Sequence, residues 1–273
     1  MLHALLISPT NPAPGTALKM VIYTPIEKCK LILCTSPKCA CQTISRIALR
    51  IFTHPFFKTY QLGGPSEDPQ RLEAQRNRFN NVVDPSFNKL ITTRHPVKRI
   101  LSCYNYMILG THRYPQSIGG EKWFKSPLEK STGKSLWETT FTEFIDYIYS
   151  TPDHLRDIHF STQSFLAEDI TFDKIIKLES FIQDLEEAIS EFNIPIVLPK
   201  QIQRNKTNYA RFNKKELTPD TLDKIHEIYA KDFKKFGYNP MNPKEAQNYI
   251  TSKSLAGPVH QGRIAGQSRK FTK

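Results

Sequence analysis

The sequence predicts an α/β fold with a central, mostly parallel sheet flanked by helices in three layers. Two observations carry this. Short apolar runs near Leu31–Leu33, Lys89–Thr93 and Phe172–Leu178 have strand length and character. Each is followed by apolar residues at helical spacing, the alternation that builds parallel sheets from crossover units. With 273 residues, 39% of them hydrophobic, the chain has material for one substantial core. No internal repeat is present. The reading is an irregular leader over 1–20, a single domain over 21–245 and a basic, disordered tail over 246–273.

The elements follow in order. Leu31, Ile32 and Leu33 lead to Cys34 and Thr35, and Ser36-Pro37 breaks the run. From Thr43, the residues Ile44, Ile47, Ala48 and Ile51 recur at helical spacing, so a helix begins a few residues after Lys38. His54 to Phe87 is polar, with a charged segment from Glu67 to Arg78 that suits a binding insertion. After the second strand, Pro96 fits the first helical position, and Val97, Ile100, Leu101, Tyr104, Met107 and Ile108 trace one face. Gly110 to Ser135 reads as a long exposed loop. Thr140 with Glu143 forms a capping box for a helix burying Phe141, Phe144, Ile145 and Ile148. Ser180 with Gln183 is read the same way for the helix after the third strand. One long helix is predicted from Thr218-Pro219 through Leu222, Ile225, Tyr229, Phe233 and Phe236, with Gly237 and Pro240 as stop signals.

A net charge of +12 points to an anionic partner: nucleotide, charged sugar, nucleic acid or membrane surface. Ile250 to Lys273 holds five basic residues and no acid, leaving 12 − 5 = +7 on the body. The odd cysteine count (Cys29, Cys34, Cys39, Cys41, Cys103) argues against a secreted disulfide framework. No pair has the two-residue gap of a zinc knuckle, so reduced thiols in a cytoplasmic protein are expected, with no metal. No segment has the roughly 18–20 consecutive apolar residues of a membrane span. Leu2–Ile7 is too short for a signal peptide and lacks a basic start. A peripheral position at a membrane surface is compatible with the charge.

Chemistry concentrates at two strand ends. Lys30 to Thr43 combines a strand, a tight turn holding Lys38 and a helix start, whose free amides and dipole favour an anion. A nucleoside-triphosphatase loop would need glycines and a closing Gly-Lys-Ser/Thr, both missing here. Arg94 ends the second strand, and Ser102 lies eight residues later on a helix whose side chains lean back toward it. Together they suit one phosphate. Two anion-binding strand ends in one sheet fit a ligand with two separate anionic groups.

Four blocks in order resemble the sulfotransferase family, most closely its carbohydrate sulfotransferase (family 2) branch. They are Pro37-Lys38-Cys39-Ala40-Cys41, then Arg94-His95-Pro96-Val97-Lys98-Arg99-Ile100-Leu101-Ser102-Cys103-Tyr104, then Ile158-His159-Phe160 with Gln163 and Phe172-Asp173 to Glu179. The fourth is Arg204-Asn205-Lys206-Thr207 with Tyr229 to Tyr238. The resemblance implies a P-loop-like fold without a metal requirement. It implies 3′-phosphoadenosine 5′-phosphosulfate as co-substrate, its phosphosulfate wrapped by Pro37, Lys38, Cys39, Ala40, Cys41, Gln42 and Thr43. Arg94 and Ser102 would take the 3′-phosphate. The chain departs from the family pattern at His95, where an aspartate is usual, and at Cys41-Gln42, where hydroxyl residues are common. Bound relatives carry an N-terminal membrane anchor, which is not expected here.

The implied reaction is in-line transfer of a sulfuryl group to an acceptor hydroxyl, a carbohydrate by branch resemblance, with Lys38 neutralising the leaving oxygen. Histidine suits the general base, with His159 first and His54 second. Arg204 and Lys206 suit the nucleotide or an anionic acceptor. The segments 67–78 and 110–135 are expected to set acceptor choice. Two other readings remain open: a nucleotide kinase-like phosphotransferase, marked by a magnesium requirement, and a non-catalytic polyanion-binding module, marked by salt-sensitive binding without nucleotide affinity. Nucleic acid is not expected as the partner, because no aromatic-basic pattern of an RNA module is present.

Overall fold

The computed structural model describes residues 22–26, 30–39, 85–109, 126–168, 170–194, 198 and 209–254. Among the described residues, four strands form one sheet in the order β1 (Ile22–Ile26), β2 (Leu31–Thr35), β3 (Asn88–Thr93) and β4 (Lys174–Lys177). β2, β3 and β4 run parallel, with Leu33 opposite Leu90 and Leu90 opposite Lys174. β1 pairs antiparallel with β2, Ile22 opposite Thr35. The three parallel strands are those predicted. β1 was not predicted; its Pro25 lacks the ladder donor but is tolerated at a sheet edge, where β1 lies.

Both faces of the sheet are covered. Leu31, Leu33, Leu90 and Ile176 pack on Phe181, Leu185 and Ala188 of α5 (Phe181–Glu191). Ile32, Cys34 and Ile91 face the opposite way, against Leu166 of α4 (Gln163–Leu166), Ala167, and Phe236 of α7 (Ala230–Phe236). This period-two alternation of apolar side chains on two buried faces gives the three layers. A larger helical cluster joins α1 (Pro96–Met107), α2 (Ser126–Thr132), α3 (Phe141–Ser150), α6 (Pro219–Ile228) and α8 (Pro243–Ser254).

Local signals set the helix ends. Pro96 begins α1, and the Thr140 hydroxyl accepts from the Glu143 amide in the predicted capping box. Gly237 ends α7 with φ +62°, the left-handed stop that glycine adopts without strain.

Four expectations need correction. The loop predicted over 110–135 contains α2, held by the fully buried Leu128. Ser180 precedes α5 without a side-chain cap bond. The single helix predicted from 218 to 236 is two, α6 and α7, broken at Tyr229 (φ −106°, ψ 20°), whose hydroxyl donates to the Phe160 carbonyl at 2.6 Å. The tail predicted to be disordered from 246 begins instead as α8, because Ala246 and Ile250, one turn apart, are buried in the helical cluster. No described helix is long and apolar enough to cross a membrane.

Candidate active site

Parallel strands place their C-terminal ends on one edge, so the turns after Thr35, Thr93 and Lys177 share it. The first turn, Ser36 to Cys39, is closed by the Cys39 amide donating to Ser36 O at 3.1 Å, and the Thr35 hydroxyl donates to Cys39 O at 2.7 Å. Lys38 sits in it with φ +67°, a left-handed conformation that a residue with a Cβ adopts at a cost of about 1–2 kcal/mol. Its half-buried side chain lays the ammonium 3.7 Å from the centre of the Tyr106 ring.

Arg94 follows β3. Its Nη1 donates to the Lys38 carbonyl at 3.1 Å and its Nη2 to the Tyr249 hydroxyl at 2.9 Å. The two predicted anion sites are therefore adjacent and directly bonded. Burial alone lowers the guanidinium's proton affinity, but Tyr209 and Tyr249 more than offset this, so its pKa stays above the ordinary value. Ser102 is buried on α1, on the face it shares with Lys98 and Tyr106 at spacings of four. That face runs from the Arg94 end of the site to the Lys38 ammonium, about 12 Å at 1.5 Å per residue.

Three buried polar residues hold these turns together. Gln163 Oε1 accepts from Cys39 Sγ and from the Arg94 amide, both at 2.9 Å, while Gln163 Nε2 donates to Arg94 O at 2.9 Å. Gln163 is itself fixed by Asp232, which accepts from the Gln163 amide at 2.8 Å and the Ser164 amide at 2.7 Å. Burial pushes the Asp232 carboxyl up, while Arg99 and those two amides pull it back. Arg99 gives Nε to Pro37 O at 3.1 Å, Nη1 to Ser161 O at 2.7 Å and Nη2 to Ile158 O at 3.2 Å. One guanidinium thus ties the residue before Lys38 to the residue before His159.

His159 Nδ1 lies 2.7 Å from Asp157 Oδ1, and the same carboxylate oxygen accepts the His159 amide at 2.8 Å. Donation from Nδ1 to the carboxylate leaves Nε2 as the acceptor. The Cys103 thiol feels Lys38, Arg99 and Asp157 together, but burial dominates and pushes it up to about 12, so it stays protonated.

His95, the departure in the second motif, packs against α7 and the residues that follow it. Its Nε2 bonds Asn239 O at 2.9 Å and its ring meets Phe233 and Tyr238 edge-on. Burial keeps it below its ordinary pKa, with Lys98 acting in the same direction.

Of the predicted site residues, Pro37, Lys38, Cys39, Arg94 and Ser102 gather at the strand edge, and His159 is coupled to them through Arg99. His54, Ala40, Cys41, Gln42, Thr43 and Arg204 lie outside the described residues. Sequence reading assigned no role to Arg99, Gln163, Asp232 or Tyr249. The first three stand inside the motif blocks, and an arginine on the apolar side of α1 is itself a signal of buried carbonyl partners.

A family model described as the sulfotransferase family matches residues 23–239. No curated protein and no solved structure matches the chain. The family match takes in both cationic turns and the Gln163–Asp232 clamp that joins them; the chain belongs to the sulfotransferase family.

Proposed function

We propose that this enzyme moves the sulfuryl group of 3′-phosphoadenosine 5′-phosphosulfate to a hydroxyl of a carbohydrate acceptor. The observation that supports this best is the bond from Arg94 Nη1 to the Lys38 carbonyl. A guanidinium and an ammonium in the turns that follow neighbouring parallel strands suit a ligand with two separate anionic groups. The donor set fits as well: Ser36 Oγ is buried without a hydrogen-bond partner among the described residues, a donor in the turn where a phosphosulfate oxygen would accept. The carbohydrate acceptor rests on the resemblance of the His159 and 204–238 blocks to that branch of the family.

The donor, when bound, supplies the activated sulfuryl group. Lys38 neutralises charge on the leaving oxygen, its ammonium resting over the Tyr106 ring of α1. The Pro37 to Thr43 segment binds the phosphosulfate through its amides, and Arg94 with Ser102 binds the 3′-phosphate, with Arg204 as a further nucleotide ligand. His159, oriented by Asp157, takes the acceptor proton at Nε2, which is the base-and-orienter pairing of general base catalysis. His54 is the second choice for that proton.

The test is transfer from labelled donor to a panel of carbohydrate acceptors. Lys38→Ala is expected to lose about 10³-fold in turnover, and His159→Gln to lose the acidic limb of the pH–rate profile. Wild-type turnover from Lys38→Ala would overturn the assignment of Lys38, and a retained acidic limb would remove His159 as the base. A magnesium requirement would favour the phosphotransferase reading instead.

A further inference from the structure

The family match ends at residue 239, yet α8 begins at Pro243 and reaches back into the site. Ala246 and Ile250 are fully buried and fix the helix against the helical cluster. Tyr249, between these two anchors, is partly buried and packs its ring against the same cluster. Its hydroxyl accepts from Arg94 Nη2 at 2.9 Å, and its ring lies edge-on to Tyr209 at 5.9 Å. Two ammonium groups face the same ring: Lys98 Nζ at 5.4 Å and Lys253 Nζ at 5.9 Å from its centre. Lys98 is also 3.7 Å from the Glu179 carboxylate.

We propose that Tyr249 is a ligand of the donor's 3′-phosphate, supplied by a helix outside the family match. This rests on the donor reading above. A tyrosine hydroxyl that accepts from an arginine still has its own proton to give. Arg94 carries five N–H donors, of which its contacts with Lys38 O and Tyr249 engage two. A phosphate oxygen at Arg94 therefore meets a guanidinium and a phenolic donor at once. Lys98 and Lys253 add positive charge around it, and charge-assisted bonds of this kind are stronger than neutral ones.

The experiment is calorimetric titration of wild type and Tyr249→Phe with adenosine 3′,5′-bisphosphate and with adenosine 5′-monophosphate. Phenylalanine keeps the ring contacts with Tyr209 and the lysines, so the fold is retained. Wild type is expected to prefer the bisphosphate, and Tyr249→Phe to reduce that preference about tenfold while leaving 5′-monophosphate affinity unchanged. An unchanged preference would overturn the role of Tyr249. An increased preference would also overturn it, by showing that the hydroxyl competes with the phosphate for Arg94. A wild type that prefers neither nucleotide would instead overturn the donor reading itself.

Discussion

Arg94 and Arg99 stand at the two sides of the start of α1, and both are buried, but their partners differ in kind. Arg99 gives all three of its nitrogens to backbone carbonyls: Pro37, Ser161 and Ile158. Arg94 meets one carbonyl and one tyrosine hydroxyl at the sheet edge. An arginine whose three nitrogens each end on a fixed carbonyl holds turns in place and keeps less capacity for a ligand. One that shares its fork with a hydroxyl keeps more. The difference separates scaffold from binding site within five residues of sequence.

The comparison breaks most clearly under methionine substitution at each position. Arg99→Met removes three carbonyl partners at once and takes away the cation that pulls the buried Asp232 carboxyl back down. It is expected to cost about 3 kcal/mol, read as a lower midpoint in urea unfolding. Arg94→Met should cost less stability, about 1 kcal/mol, but weaken nucleotide binding at least tenfold. If both variants lost stability equally and bound nucleotide equally, the separation of roles would be wrong.

A smaller effect sharpens the same contrast. His95 and His226 both lie below their ordinary pKa of 6.5, each chiefly because of burial. Both rings meet Phe233, and both bond the stretch that leads into α8: His95 through Asn239 O, His226 through the Met241 backbone. A histidine whose folded pKa is lowered stays neutral in the fold while the unfolded chain takes up a proton. Stability is therefore full above about pH 6.5, is lost as pH falls below it, and the loss ends once the folded pKa is passed. Lys98 and the other histidine disfavour the His95 charge, whereas Glu179 favours it. The melting temperature should fall between pH 6.5 and 5.5, and fall less in His95→Gln, which keeps a donor for Asn239 O. An equal fall in the variant would place the acid sensitivity elsewhere.

Much of the frame was legible because it rests on local pattern. The apolar runs marked β2, β3 and β4, and Pro96, Thr140 and Gly237 marked helix ends by their own backbone preferences. The break between α6 and α7 was not legible, because Leu222, Ile225, Tyr229, Phe233 and Phe236 keep one buried face through it. The cause is tertiary, the bond from Tyr229 to Phe160 O across 69 residues. α8 was hidden by its weak apolar pattern, two buried residues in twelve.

The site divides along the same line. Lys38 and Arg94 were readable as cations at strand ends. The residues that hold them were not, since Arg99 reaches Pro37 across 62 positions, Gln163 reaches Arg94 across 69, and Arg94 reaches Tyr249 across 155. Such contacts follow from how the turns meet in space, which no spacing along the chain encodes.

The most direct test of the two-anion account is a thermal-shift titration with adenosine 3′,5′-bisphosphate beside adenosine 5′-monophosphate. Binding to the folded state alone adds about 2.7 kcal/mol at a hundredfold excess over Kd. The account predicts strong stabilisation by the bisphosphate at concentrations where the monophosphate has little effect, and loss of that difference in Arg94→Met. Equal shifts from the two nucleotides would contradict it.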